Sequence, residues 1–344
     1  MYTKISSQDK PKPEVQRKMT SDNSASRSLI ATRPSPLPST LKPELDQAKT
    51  YARAEKAPAT HRAYRSDFDL FRAWCETKDV PALPAWPETV AAFLAAEATR
   101  GVKSSTVGRR MAAIRHVHKL VGHEAPTSSE VVKATMRGIR RTAGSASTRK
   151  APATADKMVA MISAMGTDMK ALRDRALLLL GFAGAFRRAE LVALDVVDLE
   201  FREAGLRVFI RKSKTDQEGQ GATIAIVPGS ITCPVVAVRT WIEAAGLTAG
   251  PLFRPVNKGG SVGSRRLSDR AVAEVVKASA RRIGLNEAEF SGHSLRSGFL
   301  TSAAIRGASI FKMMDVSRHK SVETLRGYVR DAELFRDHAG TGLL

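Results

Sequence analysis

Cysteine is scarce. The 344-residue chain has two, Cys75 and Cys233, far apart in sequence. That excludes a disulfide framework and a cysteine-based zinc site, and it fits a reducing compartment. Long apolar runs are missing as well. The longest uncharged one, Ala176–Phe186, is about half of the roughly 20 residues that a membrane span requires. No apolar stretch opens the chain, so no secretory leader is expected. Acidic residues are in deficit: 34 Asp and Glu against 55 Lys and Arg leave a net charge of +21 and a pI near 10.4. Such an excess repels itself in the folded state, which makes a polyanion the natural partner. The 43% hydrophobic content excludes wholesale disorder. The length suggests two domains at roughly 150 residues each. These features describe a soluble, cytoplasmic, nucleic-acid-binding protein with no membrane association and no small-molecule substrate.

Prolines, serines and threonines crowd residues 1–46, where Pro11, Pro13, Pro34, Pro36, Pro38 and Pro43 fall. No apolar periodicity develops there, so this segment is expected to be a disordered tail. Residues 47–142 read as all-helical. Tyr64, Phe68, Phe71 and Cys75 recur on one helical face, with Thr60 as a candidate N-cap. Further helices are predicted over 88–99, 105–121 and 129–141. Val107, Met111, Ile114, His118 and Val121 form the apolar face of the second of these. His116 and His118, two residues apart, do not share a helix face and make a poor metal pair; with His123 they read as packing or phosphate-contact residues. Residues 143–152 are small and basic and read as a linker. Residues 153–344 are mixed. Helical patterns cover 155–165, 169–183, 233–245, 268–283, 294–306, 309–315, 321–327 and 331–338. Three short strands are predicted at 196–201, 206–211 and 222–227, the last two joined by a polar hairpin loop. The fold class is therefore mainly α with a small antiparallel β-sheet in the second domain. Candidate phosphate contacts are Arg62, Arg65, Lys103, Arg109, Arg110 and Arg115 in the helical segment, and Arg149 and Lys150 in the linker.

Four clusters in the second domain carry the chemistry: Ala185-Phe186-Arg187-Arg188-Ala189-Glu190-Leu191, Lys212-Ser213-Lys214-Thr215, His293-Ser294-Leu295-Arg296, and His319 with Tyr328 nine residues later. Breaking a phosphodiester without a metal needs a nucleophile, cations for the non-bridging oxygens and an acid for the leaving oxygen. Arginine suits the oxygens, because its planar fork donates bidentately and stays charged. Two arginines and a lysine make an electrostatic clamp. Tyrosine is a capable nucleophile where nearby positive charge helps its phenol ionise. His293 and Arg296, at i and i+3, would share a helix face.

In order and spacing these clusters resemble the tyrosine recombinase (phage integrase) family. Its pattern is G-x-R-x-x-E-L, a β-hairpin lysine, H-x-x-R, then Gly-His about nine residues before Tyr. Thr60-His61-Arg62-Ala63-Tyr64-Arg65-Ser66-Asp67 is similar to a helix of Cre-like recombinases, and the likeness covers roughly residues 48–340. It implies a helical, SAM-like core-binding domain followed by the α+β catalytic domain of the family. It also implies site-specific strand cleavage and rejoining through a 3′-phosphotyrosyl link. Arg187 and Arg296 would clamp the phosphate, with Glu190 a nearby carboxylate that orients the active site. Lys214, or Lys212 beside it, would protonate the 5′ leaving oxygen. His293 would assist proton transfer, His319 would hydrogen-bond a phosphate oxygen and Tyr328 would attack. The resemblance implies a homotetramer on double-stranded DNA, with no metal or nucleotide cofactor. Leu334 and Phe335, beyond Tyr328, would lie in a terminal helix that packs on a neighbour or on its own domain. A topoisomerase IB-like enzyme and a catalytically inactive DNA-binding regulator are the alternatives. The chain departs from the pattern at Ala185 for Gly, Phe186 for Leu, Arg188-Ala189 for a hydrophobic-Ser pair, and Ser317-Arg318 for Leu-Gly. Arg318, far bulkier than glycine, predicts a different turn before His319.

Overall fold

The computed structural model describes residues 38–144, 149–213, 216, 219–332 and 341. Contacts divide the chain into Met1–Arg62 and Ala63–Leu344. The described part of the first unit contains helix α1 (Lys42–Ala54). Its Pro43 stands in the first turn, where the absent N–H costs nothing and the fixed φ suits a helix. Of the expected 1–46 tail, residues 39–46 are helical in a short turn and the start of α1, and residues 1–37 lie outside the described residues.

Helix α2 (Pro58–Glu76) crosses the boundary between the units, and α3 (Pro87–Thr99), α4 (Ser104–Leu120) and α5 (Glu130–Ala143) follow. Thr60 therefore sits inside the first turn of α2 and does not cap it. Phe71 and Cys75 of α2 meet Val90, Phe93 and Leu94 of α3, Val107 and Ile114 of α4, and Val132 and Met136 of α5 in one core. Tyr64 and Phe68, on the same face of α2, are half-buried, whereas Val121 is exposed. His118 is fully buried. Its Nε2 accepts from the Ala85 amide at 2.9 Å, and its Nδ1 lies 2.8 Å from the Ile114 carbonyl, which can only accept. The ring is thus neutral with the proton on Nδ1, and burial holds its pKa below the ordinary value. It is a packing residue of this core.

Two acids are buried in the same segment, Asp67 and Glu97, each 2% exposed. Arg109 takes Asp67 in a two-pronged bond at 2.7 and 3.0 Å. Arg110 pairs with Glu97 and lies 3.8 Å from Asp67. Its side chain is only 14% exposed, so the expected phosphate contact is corrected: Arg110 neutralises a buried carboxylate. Removing one partner of a buried pair leaves an uncompensated charge. Arg110→Ala is expected to destabilise this helical core by about 3 kcal/mol, read from denaturant unfolding. A loss under about 0.5 kcal/mol, typical of a surface change, would refute the pairing.

The second core lies within residues 153–295. Its elements are α6 (Ala155–Ser163), α7 (Met169–Ala183), α8 (Arg188–Ala193), β1 (Leu199–Arg202), β2 (Gly205–Ile210), β3 (Ala222–Ile226), α9 (Pro234–Ala244), α10 (Asp269–Arg282) and the start of α11 (His293–Ile305). The strands form one antiparallel sheet in the order β1-β2-β3, with Val208 between Leu199 and Ile224. Leu206, Val208 and Ile210 point into the core while Arg207 and Phe209 face out, the period-two alternation of a half-buried strand. Leu177 to Leu180 of α7 are buried on every side, which is why that helix reads as an apolar run. Trp241 of α9 is fully buried and donates to the Leu252 carbonyl at 2.8 Å.

Helices α12 (Ile310–Ser317) and α13 (Val322–Ala332) close the described chain. The two short helices expected at 321–327 and 331–338 are, through residue 332, one continuous helix; the remainder, with Leu334 and Phe335, lies outside the described residues. Leu325 of α13 joins Leu300, Ala304 and Met313 in a small third cluster, with Tyr328 and Val329 packed against it. Leu325, Tyr328 and Val329 fall at i, i+3 and i+4, the spacing that puts a stripe on one helix face. The architecture is mainly helical with a small antiparallel sheet. Among the described residues no helix is long and apolar enough to cross a membrane.

Candidate active site

The site is built where α7 ends. Gly184 closes α7, and Ala185 follows with φ +44°. This left-handed turn sends Phe186 into the core, 1% exposed, and leaves Arg187 at the entrance to α8. Glu190, one turn into α8 and 3% exposed, reaches back. Its Oε2 accepts from the Arg187 amide at 3.0 Å and its Oε1 from the Arg187 guanidinium at 2.5 Å. An acid in a first turn that takes the free amide before it satisfies an orphan helix donor. Here it also fixes the Arg187 side chain. Arg188, expected to differ from the family pattern, is exposed, with its stem against Gly292.

Helix α11 supplies the second arginine. Its backbone comes so close to residue 153 that a Cβ on Gly298 would stand 1.9 Å from the Ala153 carbonyl. Only glycine permits this approach, which carries the first turn of α11 against the α7–α8 turn. Arg296 is 1% exposed and donates to the Ala185 carbonyl at 2.7 Å. Its other terminal nitrogen lies 3.1 Å from His319 Nε2 and 3.2 Å from Nδ1. Burial and the charges of Arg187 and Arg318 push the Arg296 guanidinium down to about 9, so it remains a cation at neutral pH. His293, three residues earlier, opens to solvent. Burial of its ring and the charges of Arg296, Arg187 and Arg188 hold its pKa below the ordinary value.

His319 follows α12 on a turn in which Arg318 has φ +58°. The turn therefore keeps the left-handed backbone that favours glycine, contrary to the different turn that the bulk of Arg318 predicts. Ser317 Oγ lies 2.7 Å from His319 Nδ1 and donates to the Met313 carbonyl at 2.6 Å. With Nδ1 protonated toward Ser317, Nε2 is left as the acceptor that faces Arg296. Burial, then the charges of Arg296 and Arg187, push His319 down to about 4; the ring is neutral at pH 7.

Tyr328 is half-buried on α13. Burial pushes its phenol up, and the charges of Arg149 and Arg296 pull it back toward ionisation. Arg149 is placed against this helix: a Cβ on Gly327 would lie 3.0 Å from its guanidinium. Lys150, also expected to contact phosphate, is exposed and donates to the Ala288 carbonyl at 2.6 Å. Lys214 lies outside the described residues. Lys212 is exposed at the mouth of the β2–β3 loop. Asp216 shapes that loop by accepting from the amides of Gly219, Gln220 and Gly221 at 3.1, 3.0 and 2.8 Å. These amides, with the charge of Lys320 beside His319, hold the Asp216 carboxyl below its usual range. Arg62, Arg65, Lys103 and Arg115 are exposed, and Arg109, bound to Asp67, is half-exposed.

Sequence reasoning missed Arg318. Its side chain is only 9% exposed and donates to Glu190 Oε2 at 2.8 Å. Burial opposes ionisation of Glu190, but the charge of Arg318, then the Arg187 amide and guanidinium, hold the carboxyl below its ordinary range. Two guanidiniums, those of Arg187 and Arg318, thus hold one carboxylate, with the Arg296 guanidinium on the neighbouring Ala185 carbonyl. The positive excess, next to a tyrosine and two neutral imidazoles, is equipment for phosphoryl transfer from a polyanion.

The comparisons agree with that chemistry. Residues 153–334 match the phage integrase family, and residues 48–124 match the phage integrase N-terminal SAM-like domain. The chain is 37% identical over 299 residues to an integrase/recombinase xerD homolog of Selenomonas ruminantium, covering 85% of this chain and 87% of that protein. It is 26% identical over 280 residues to recombinase cre of Escherichia phage P1, covering 76% and 80%. Its fold is similar to a lambda integrase tetramer bound to a Holliday junction, with TM-score 0.59 and 17% identity over 87% of this chain and 79% of that one. It is also similar to XerH recombinase in a post-cleavage complex, with TM-score 0.55 and 15% identity over 75% and 72%. The chain belongs to the phage integrase family. It is a site-specific tyrosine recombinase, an enzyme of DNA recombination.

Proposed function

We propose that Tyr328 attacks a phosphodiester of duplex DNA, forming a 3′-phosphotyrosyl link and releasing a 5′ hydroxyl. Rejoining is the reverse, with a 5′ hydroxyl attacking the link. The bond energy is kept in the phosphotyrosine, so no nucleotide is consumed. Arg187 and Arg296 donate to the non-bridging oxygens. In the structure the Arg296 Nη2 group faces His319, and a phosphate oxygen would take that donor. His319 then turns its own N–H to the phosphate, and His293 relays the phenolic proton. Lys214 or Lys212 protonates the leaving oxygen from the hairpin. The helical segment and the catalytic segment are the two DNA-binding domains, joined through residues 143–152, and four copies act on two sites in the cytoplasm. The observation that carries this reading is Arg187, braced by the Glu190 carboxylate, together with Arg296, held by the Ala185 carbonyl and facing His319, with the charge of Arg296 felt by the Tyr328 phenol.

The test uses a randomised duplex pool carrying bridging phosphorothiolates, which trap the covalent intermediate. SDS-resistant protein–DNA adducts that enrich one sequence are expected; capture without enrichment, or none, would count against the reading. The enriched duplex then serves for binding. Its association constant should fall steeply with salt, each neutralised phosphate adding about 0.9 to the log–log slope. Arg65→Ala should lower that slope by about one unit. An unchanged slope would remove Arg65 from the interface.

A further inference from the structure

Arg318 stands where the family pattern has glycine, and the backbone there has the conformation that glycine adopts freely and a larger residue adopts at a cost. Its guanidinium shows what offsets that cost. One terminal nitrogen donates to the Gly184 carbonyl at 3.1 Å and to the Val316 carbonyl at 2.6 Å. The other donates to the Ala185 carbonyl at 3.3 Å and to Glu190 Oε2 at 2.8 Å. The group lies over the Phe186 ring, 5.2 Å from its centre. Each of these acceptors belongs either to its own turn or to the Arg187 turn. Ala185 O is shared with Arg296, and the Glu190 carboxylate is shared with Arg187. The side chain is turned away from solvent, so its terminal donors serve the protein and not the DNA, while its Nε is buried without a partner.

We propose that Arg318 is a positioning residue for strand cleavage: it ties the turn bearing His319 to the turn bearing Arg187 through Glu190 and the Gly184–Ala185 carbonyls, and so holds the phosphate-facing groups at one fixed separation. The proposal rests on the functional reading above. It explains why a bulky cation occupies a left-handed position. The Glu190 carboxylate, fixed from one side by Arg187, is fixed from the other by Arg318, and it cannot swing without breaking both.

The test compares wild type, Arg318→Gly, Arg318→Lys, Glu190→Gln and the Arg318→Gly/Glu190→Gln double variant on the duplex enriched by trapping. Adduct formation is measured in single turnover at saturating DNA, with the dissociation constant measured separately. A residue needed only to fill the turn predicts that glycine, at home at this φ, leaves the rate unchanged. Positioning predicts that Arg318→Gly binds DNA within about threefold of wild type yet forms adduct at least tenfold more slowly, and that lysine recovers part of the rate. In the Glu190→Gln background the same glycine substitution should cost less than threefold, because its partner is already altered. A glycine variant within threefold of the wild-type rate would overturn the proposal, as would an equal loss in both backgrounds. Should Arg318→Gly fail to fold, Arg318→Lys at an unchanged melting temperature decides: tenfold slower supports, within threefold overturns. Absence of adduct from wild type would instead bring down the functional reading, and this inference with it.

Discussion

Tyr328→Phe leaves no SDS-resistant adduct on the enriched duplex while binding it within about twofold of wild type. The substitution removes one oxygen from a half-buried ring and keeps the packing against Leu325 and the α11–α12 pair, so the fold is expected to persist. What disappears is the atom that forms the bond. Removing a covalent nucleophile from a site that works as a unit costs on the order of 10⁶ in rate, below the reach of an adduct assay. The charges of Arg149 and Arg296 favour the phenolate that the reaction needs against the burial that opposes it. Without the phenol they still attract phosphate, which is why binding and chemistry should separate. Adduct formation by the Phe variant would mean that another residue attacks.

The second large effect is at Arg296. Arg296→Lys keeps one positive charge but loses the fork that donates at once to Ala185 O and toward His319. Lysine can satisfy one of these directions, not both. Adduct formation is expected to fall by about 10²–10³, the scale of roughly 3–4 kcal/mol lost when one donor is removed from a developing oxyanion. Affinity should change by less than tenfold, because DNA binding draws on many exposed cations. A comparison of melting temperatures separates lost chemistry from lost fold. Wild-type cleavage by the Lys variant would show that Arg296 is a core residue and not a phosphate clamp.

Much of this site was legible in the chain itself. Arg187, Glu190, Arg296, His319 and Tyr328 stand at spacings that matched a pattern, and the structure gathers the first four through hydrogen bonds and places Tyr328 beside them. The spans of α3, α7, α9 and α10 followed from the helical patterns of the sequence, α7 as an apolar run. The rest depended on partners distant in sequence. Arg109 and Arg110 look like a solvated stripe on α4, because nothing local reveals that Asp67 of α2 and Glu97 of α3 are buried against them. Arg318 looked like a departure from a glycine, since three of its four acceptors lie more than 120 residues earlier, at Gly184, Ala185 and Glu190. Helix α1 was hidden by polar composition: Pro43 reads as tail when counted with its neighbours and as a helix start when placed at the first turn. The two departures at Ala185 and Arg318 share one physical description. Both residues occupy the left-handed region, with φ of +44° and +58°, so the glycines of the pattern mark backbone turns that this chain makes with side chains attached.

The central claim is that the bond to DNA is made by one tyrosine. The direct measurement is to trap the covalent complex on the phosphorothiolate duplex, digest protein and DNA, and map the nucleotide-bearing peptide by mass spectrometry. The account predicts a single modified peptide carrying a phosphodiester on Tyr328; a nucleotide on any other residue would contradict it.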